Sequence, residues 1–307
     1  MDLPEQPGTP FYYFEPPKRF QHRYWIHVTL FLATLASTTL VQTVDLNPAS
    51  WALLSDPRVW VAGLWYSIPI LTILTFHEFG HYIACRIHNV DATLPFYIPA
   101  PFLQLTGTLG AVIKIREPFP NKRALFDIGV AGPIAGFIAL IPFLWWGVAH
   151  STVTAIDRSQ PTMWLGEPLL FKFFARLSFG VLPPDTDITI HPTGFAAWFG
   201  MLATALNLMP FGQFDGGHIA YAAFGRRARY VSMATLGVML LLTVWSLSWI
   251  AMAIMMAAMA FFLGFGHPVV IDEHERLDPK RTLVAILALM IFVICFTPVP
   301  IEILFDR

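Results

Sequence analysis

Residues 230–266 run for 37 positions without one charged side chain. As a single helix this stretch would reach roughly 55 Å, almost twice the ~30 Å hydrocarbon core of a bilayer. It therefore reads as two membrane spans, with a turn expected near Trp245-Ser246-Leu247-Ser248-Trp249. Five more apolar segments have the length of a span: Tyr24 to Val44, Trp60 to Cys85, Leu125 to Val148, Phe195 to Phe224 and Leu283 to Val299. Arg86 closes the second, Lys122 and Arg123 precede the third, and Arg226, Arg227 and Arg229 follow the fourth. Composition agrees, with 56% hydrophobic and 13% charged residues, against about 45–50% and 25% in soluble domains. The expected class is an all-α membrane protein: a multi-span helical bundle of about six or seven spans, set in a lipid bilayer. A soluble, disordered or fibrous chain is excluded. The net charge of −1 gives no reason to expect a nucleic-acid partner. Cys85 and Cys295 both sit in apolar segments, so no disulfide framework is expected.

The charges between spans orient the chain. With the N-terminus in the cytosol, 14 Lys and Arg residues fall inside and five outside, as the positive-inside rule requires. Three regions are expected: a polar, proline-rich cytosolic tail over 1–22 without a cleavable signal peptide, a catalytic membrane core over 23–224, and C-terminal spans over 225–307. The segment Ser151 to Pro192 reads as a polar, irregular outside loop, too short for a separate domain. A bacterial inner membrane is the expected location, and an organelle membrane fits the same pattern.

Two apolar segments cannot be plain helices. Ala92 to Pro120 holds five prolines and two glycines, and a lipid-facing helix would break there. Within it, Ala111-Val112-Ile113-Lys114-Ile115-Arg116 alternates apolar and basic residues, a strand pattern. A re-entrant loop or short β-hairpin covered by protein is expected, with a simple interfacial loop as the alternative. The second irregular segment is Asn207-Leu208-Met209-Pro210-Phe211-Gly212-Gln213-Phe214-Asp215-Gly216-Gly217-His218, inside the fourth apolar segment. Its proline and glycines should interrupt the helix and free backbone carbonyls, which is tolerated around a cavity or site.

Chemistry concentrates in His77-Glu78-Phe79-Gly80-His81. Residues four apart share a helix face, so both imidazoles can reach one metal while Glu78 approaches an attacking water. This is the HExxH arrangement of zinc hydrolases. Ionisable groups inside a span are costly and mark function; the alternative is a hydrogen-bonded cluster that holds helices together. Two histidines need a third protein ligand. Asp215, the carboxylate in the broken span, leads, with Glu117, Asp127 and His218 as rivals. Gly132 and Gly136 form a GxxxG pair that reads as a close helix contact, or else a hinge beside the site. The methionines in Met252 to Met259 read as apolar filler.

HEFGH in one span and NLMPFGQFDGGH in a later one make the chain resemble the site-2 protease family of intramembrane zinc metalloproteases. GTLGAVIKIREP between the motifs and AGPIAG (131–136) add to the resemblance, which covers most of the chain. It implies one Zn2+ per chain held by His77, His81 and Asp215, with Glu78 as the catalytic base. It also implies that Asn207 positions substrate or stabilises the transition state. The family's usual Leu-Asp-Gly reads Phe214-Asp215-Gly216 here, which keeps the ligand. No interval between spans is long enough for a PDZ-like or CBS-like insertion.

The implied reaction is hydrolysis of a peptide bond within or near the transmembrane helix of a single-span membrane-protein substrate. Such a bond must first be extended, and the 107–116 hairpin offers an edge for strand addition, or it simply plugs a gap between spans. The competing class is a metal or proton transporter using the same His, Glu and Asp residues. A transporter should show related halves with paired broken helices, whereas only one of the expected spans carries a proline–glycine break and no internal repeat is apparent. An inactive, membrane-protein-binding relative would have lost Glu78 or a ligand.

Overall fold

In a computed structural model, residues 23–43, 55–101, 105–156, 162–265, 270–272 and 277–304 are described. The proline-rich tail over 1–22 lies outside them, as do Arg158, Arg276 and Arg307 of the charge comparison. The helices are α1 (Tyr24–Val41), α2 (Pro57–Ile87), α3 (Lys122–Ala149), α4 (Leu169–Phe179), α5 (Pro192–Leu208), α6 (Asp215–Phe224), α7 (Ala228–Trp245), α8 (Ile250–Leu263) and α9 (Pro279–Cys295). Among the described residues, six short strands form three antiparallel pairs: β1 (Phe96–Pro99) with β2 (Thr108–Val112), β3 (Thr152–Ala155) with β5 (Thr186–Thr189), and β4 (Thr162–Leu165) with β6 (Ile301–Leu304).

Helix starts follow local chemistry. Asp56 caps α2 by accepting from the Arg58 amide, with Pro57 at the first helical position. Asn121 caps α3 through the Ala124 amide, and Asp278 caps α9 through the Arg281 amide. Each cap satisfies a backbone N–H that the helix cannot. Pro69 lies inside α2, and Pro133 and Pro142 lie inside α3. Both helices nevertheless continue; in α2 the Trp65 carbonyl that Pro69 frees accepts from the Thr193 hydroxyl of α5.

Among the described residues, four helical units are long and apolar enough to cross a membrane: α1, α2, α3 and the stretch Asp215–Trp245 that joins α6 to α7. The apolar length is thus divided differently from the seven expected spans. The fourth expected span, 195–224, is cut at residues 209–214, and its second half runs through a 3₁₀ turn (Gly225–Arg227) into α7. The uncharged 230–266 stretch does turn where expected, with a 3₁₀ turn at Leu247–Trp249 between α7 and α8. That leaves α5, α8 and α9 at 17, 14 and 17 residues.

The core of the bundle is α2, α3 and α5, with α6 against α3. Large side chains fill it, among them Tyr66, Phe126, Leu140, Leu144, Trp198 and Met201, all essentially solvent-free. Where helices touch most closely, glycine permits it. A β-carbon on Gly80 of α2 would stand 2.5 Å from the Ala131 carbonyl oxygen of α3. At the opposite end the Thr193 hydroxyl of α5 donates to the Trp65 carbonyl of α2 at 2.7 Å, and Trp65 stacks on Trp146 of α3 with ring centroids 5.1 Å apart.

The proline-rich segment forms the expected hairpin, with its strand shifted. β2 occupies 108–112, and Ile115 makes only a single bridge, to Ala92. Turn geometry and α1 set the shift. Gly107 adopts φ +66°, and a side chain there would stand 2.8 Å from the Thr38 Cα. The Ser37 hydroxyl donates to the Gly107 carbonyl at 2.6 Å, and Nδ1 of His27 lies 2.9 Å from the Pro95 carbonyl. The buried hydroxyl row of α1 therefore receives the hairpin.

The 151–192 segment is not the irregular polar loop expected. It carries β3, β4, β5 and the helix α4, whose Phe171 is buried in the main core. Pairing with β6 was not legible, since β4 and β6 are more than a hundred residues apart. Cys85 and Cys295 are both buried and free, each as a small apolar side chain.

Candidate metal centre

His77 and His81 lie on one face of α2, and Asp215 opens α6. The break at 209–214 brings them together. Phe211 donates to the Met209 carbonyl at 2.7 Å, Phe214 donates to Phe211 at 3.0 Å, and Gly212 takes φ +51°. Gly216 then meets the end of α5, where a β-carbon would stand 2.1 Å from the Leu208 carbonyl oxygen. Only a residue without a side chain can follow Asp215 in so tight a return. The carboxylate is thereby set in the first turn of α6, where the unpaired helix amides favour negative charge.

The donor atoms converge. Oδ2 of Asp215 is 3.3 Å from Nε2 of His77 and 3.3 Å from Nε2 of His81, and the two Nε2 atoms are 3.1 Å apart. Both imidazoles are buried. Nδ1 of His81 lies 2.7 Å from the Ile128 carbonyl of α3. A carbonyl only accepts, so Nδ1 carries the proton and Nε2 turns its lone pair toward Asp215 and His77. Lone pairs and a carboxylate this close repel unless a cation sits among them. In a tetrahedral zinc site with bonds of about 2.0–2.1 Å, ligand atoms stand about 3.3–3.4 Å apart. The residues present fit a zinc ion.

Asn207, in the last turn of α5, places Nδ2 at 3.2 Å from Nε2 of His77. Glu78 is buried beside the histidines, and the Ile113 amide just past β2 faces its carboxylate. The hairpin thus covers the centre from one side. Tyr97 of β1 is tied to α2 by a 2.7 Å hydrogen bond between its hydroxyl and that of Thr75.

The rival ligands are occupied elsewhere. Glu117 accepts from the Asp91 amide at 3.1 Å and so holds the loop after α2. Asp127 accepts from Nε of Arg281 at 2.8 Å and pairs with Nε2 of His88 at 2.9 Å, joining α3 to α9 and to the end of α2. His218 packs on the Phe119 ring, with centroids 5.6 Å apart.

What sequence reading missed is the part α3 plays. Gly129, Gly132 and Gly136 lie along the side of α3 that faces the centre. A β-carbon on Gly129 would stand 2.9 Å from Cβ of His218, one on Gly132 2.1 Å from Nε2 of His81, and one on Gly136 3.1 Å from Cβ of His77. The GxxxG pair is therefore a close contact whose partner is the pair of histidines. Its signal was present in the sequence; the identity of the partner was not. Gly132→Ala is expected to push the His81 ring off the Ile128 carbonyl and weaken zinc binding by about 10–100-fold, the usual effect of losing an orienting partner. Competition against a chromophoric chelator measures this, and an unchanged affinity would show that the ring can give way without cost.

Comparison with known proteins bears on the same residues. The sequence profile of Peptidase family M50 matches residues 65–247, which spans α2 to α7 and contains the whole centre. The chain belongs to peptidase family M50. This is the site-2 protease family that the motifs resemble. Among curated relatives, it is 31% identical over 234 residues to an Arabidopsis thaliana protein named probable zinc metalloprotease EGY1, chloroplastic, covering 70% of this chain and 42% of the relative. It is 28% identical over 272 residues to probable zinc metalloprotease EGY2, chloroplastic, of Oryza sativa subsp. indica, covering 86% of this chain and 47% of that protein. A third relative, named probable zinc metallopeptidase EGY3, chloroplastic, of Arabidopsis thaliana, is 30% identical over 186 residues, 55% of this chain and 31% of its own. The chain spans less than half the length of these relatives.

Proposed function

We propose that this M50 chain is an intramembrane zinc metalloprotease that hydrolyses peptide bonds within or near a transmembrane helix of a membrane-protein substrate. The observation that carries the reading is the convergence of Nε2 of His77, Nε2 of His81 and Oδ2 of Asp215 within 3.1–3.3 Å of one another, with Glu78 at the next position on α2. A zinc ion bound there supplies Lewis acidity toward water and the scissile carbonyl. Glu78 accepts the proton of the attacking water and returns it to the leaving amine. Asn207, beside His77, hydrogen-bonds the oxyanion as it develops. The β1–β2 hairpin holds an extended substrate segment by strand addition and brings its carbonyl to Glu78.

The decisive experiment incubates the purified chain with candidate single-span helices, with and without a chelator. Cleavage that stops on chelation and returns with zinc supports the proposal. Chelation-insensitive cleavage, or none with any helix alongside metal-dependent ion flux in vesicles, would overturn it.

The charge asymmetry supports an orientation with the N-terminus in the cytosol of a bacterial plasma membrane, or on the equivalent face of an organelle membrane. His77 and His81 precede Arg86 by nine and five residues, a depth of about 7–14 Å below that face. Asp215 precedes Arg226 by eleven residues, roughly 16 Å if helical. Thiol reagents added from the cytosolic side are expected to label cysteines placed beside Asn207, Gln213, Thr106 and Thr108. Labelling only from the opposite side would invert the topology.

A further inference from the structure

Helix α4 has an exposed arc that no part of the catalytic reading uses. It packs against α3 and α9 at the end of the bundle where both helices finish. Its buried side is Phe171, with Leu170, Phe174, Ala175 and Phe179 half-buried against the core. Leu169, Phe173 and Leu177 are 54%, 61% and 65% exposed. At about 100° per residue these three form one stripe along the helix. Lys172 and Arg176, also exposed, form a second stripe directly beside it, and Nζ of Lys172 stands 3.8 Å from the exposed Glu167 carboxylate just before the helix. The chain leaves α4 through Gly180 at φ +69°, which sets Val181, 73% exposed, just beyond the apolar stripe.

We propose that α4 lies in the plane of the membrane interface, with Leu169, Phe173, Leu177 and Val181 in the acyl region and Lys172 and Arg176 on lipid phosphates. The division of the arc carries the inference. A water-facing arc would not be apolar over half its width, and a protein-binding hot spot is ringed by polar residues rather than flanked on one side by cations. Apolar and basic stripes running side by side match the step from hydrocarbon to headgroups. The setting agrees. Leu289, Met290 and Val293 in the last turns of α9, which α4 contacts, are exposed and apolar as well, as an end of the bundle set in hydrocarbon would be. Helix α4 then braces the closing ends of α3 and α9 against one leaflet. The inference rests on the membrane setting of the bundle and not on its proteolytic reading.

The test places single nitroxide labels at Phe173→Cys, Leu177→Cys, Lys172→Cys and Arg176→Cys in the full chain. The parent, whose Cys85 and Cys295 are buried, is the labelling control, and a Cys85→Ala, Cys295→Ala background is the second. In nanodiscs of mixed phosphatidylcholine and phosphatidylglycerol, oxygen should exceed a water-soluble nickel chelate as the relaxing agent at 173 and 177. The ratio should invert at 172 and 176. Removing phosphatidylglycerol should move the 173 label toward water, and Lys172→Gln with Arg176→Gln should abolish that lipid dependence. Nickel-dominated relaxation at all four sites would overturn the proposal, as would a label at 173 shielded from both agents, which would mean a protein partner. A depth at 173 that ignores lipid charge would remove the phosphate contacts and overturn that half of it.

Discussion

Glu78→Gln is expected to abolish cleavage while leaving zinc bound. The amide is nearly isosteric and keeps its place beside the Ile113 amide, yet it has no basic lone pair to take the proton of an attacking water. A positioned general acid–base contributes about 10²- to 10⁴-fold, and Glu78 serves in both directions of proton transfer, so the loss should reach at least the upper part of that range. His77→Ala should lose zinc and activity together, since it removes one of three donors. Cleavage rates and metal content on the same preparations separate the two outcomes. A Glu78→Gln variant that still cleaves at a near-normal rate would falsify the assignment of the base.

Asp215→Ala should cost zinc occupancy far more than Asp127→Ala or Glu117→Ala. Asp215 supplies the only carboxylate oxygen within 3.3 Å of both Nε2 atoms among the described residues. Asp127 is engaged with Arg281 and His88, and Glu117 with the Asp91 amide. Losing Asp127 should therefore lower stability while metal remains, because the cost falls on the α3–α9 contact. Elemental analysis of the three purified variants decides it. Full occupancy in Asp215→Ala would place the third ligand elsewhere, and an empty Asp127→Ala would show that the α3–α9 pairing reaches the centre.

The two outcomes depend on how far apart in sequence the parts lie. HEFGH is legible because a spacing of four on a helix is a local property, and the burial of two histidines in an apolar segment marks them as functional. NLMPFGQFDGGH is legible as a break because proline and glycine act on their own backbone. Neither fact says that the break returns Asp215 to α2. That took the close fit of Gly216 on the Leu208 carbonyl and the seating of α6 on Gly129 of α3. Asp215 led its rivals in the sequence by its place in the broken span and by the family resemblance; the structure distinguishes them by what already holds Asp127 and Glu117.

Apolar segments of span length, an uneven division of Lys and Arg between the loops, the helix-spaced His-Glu-x-x-His motif and a proline–glycine break were all determined by the sequence alone. Each depends on neighbours within about two helical turns or on the bulk chemistry of a segment. Which segments reach full span length, where β2 begins, that 151–192 carries α4 and three strands, and that Ile128 orients His81 were decided only by tertiary structure. These depend on contacts such as Ser37 with Gly107, β4 with β6 and Gly132 with His81. Such contacts join residues dozens to more than a hundred positions apart, and the free energy of close packing has no signature in either residue's immediate neighbours.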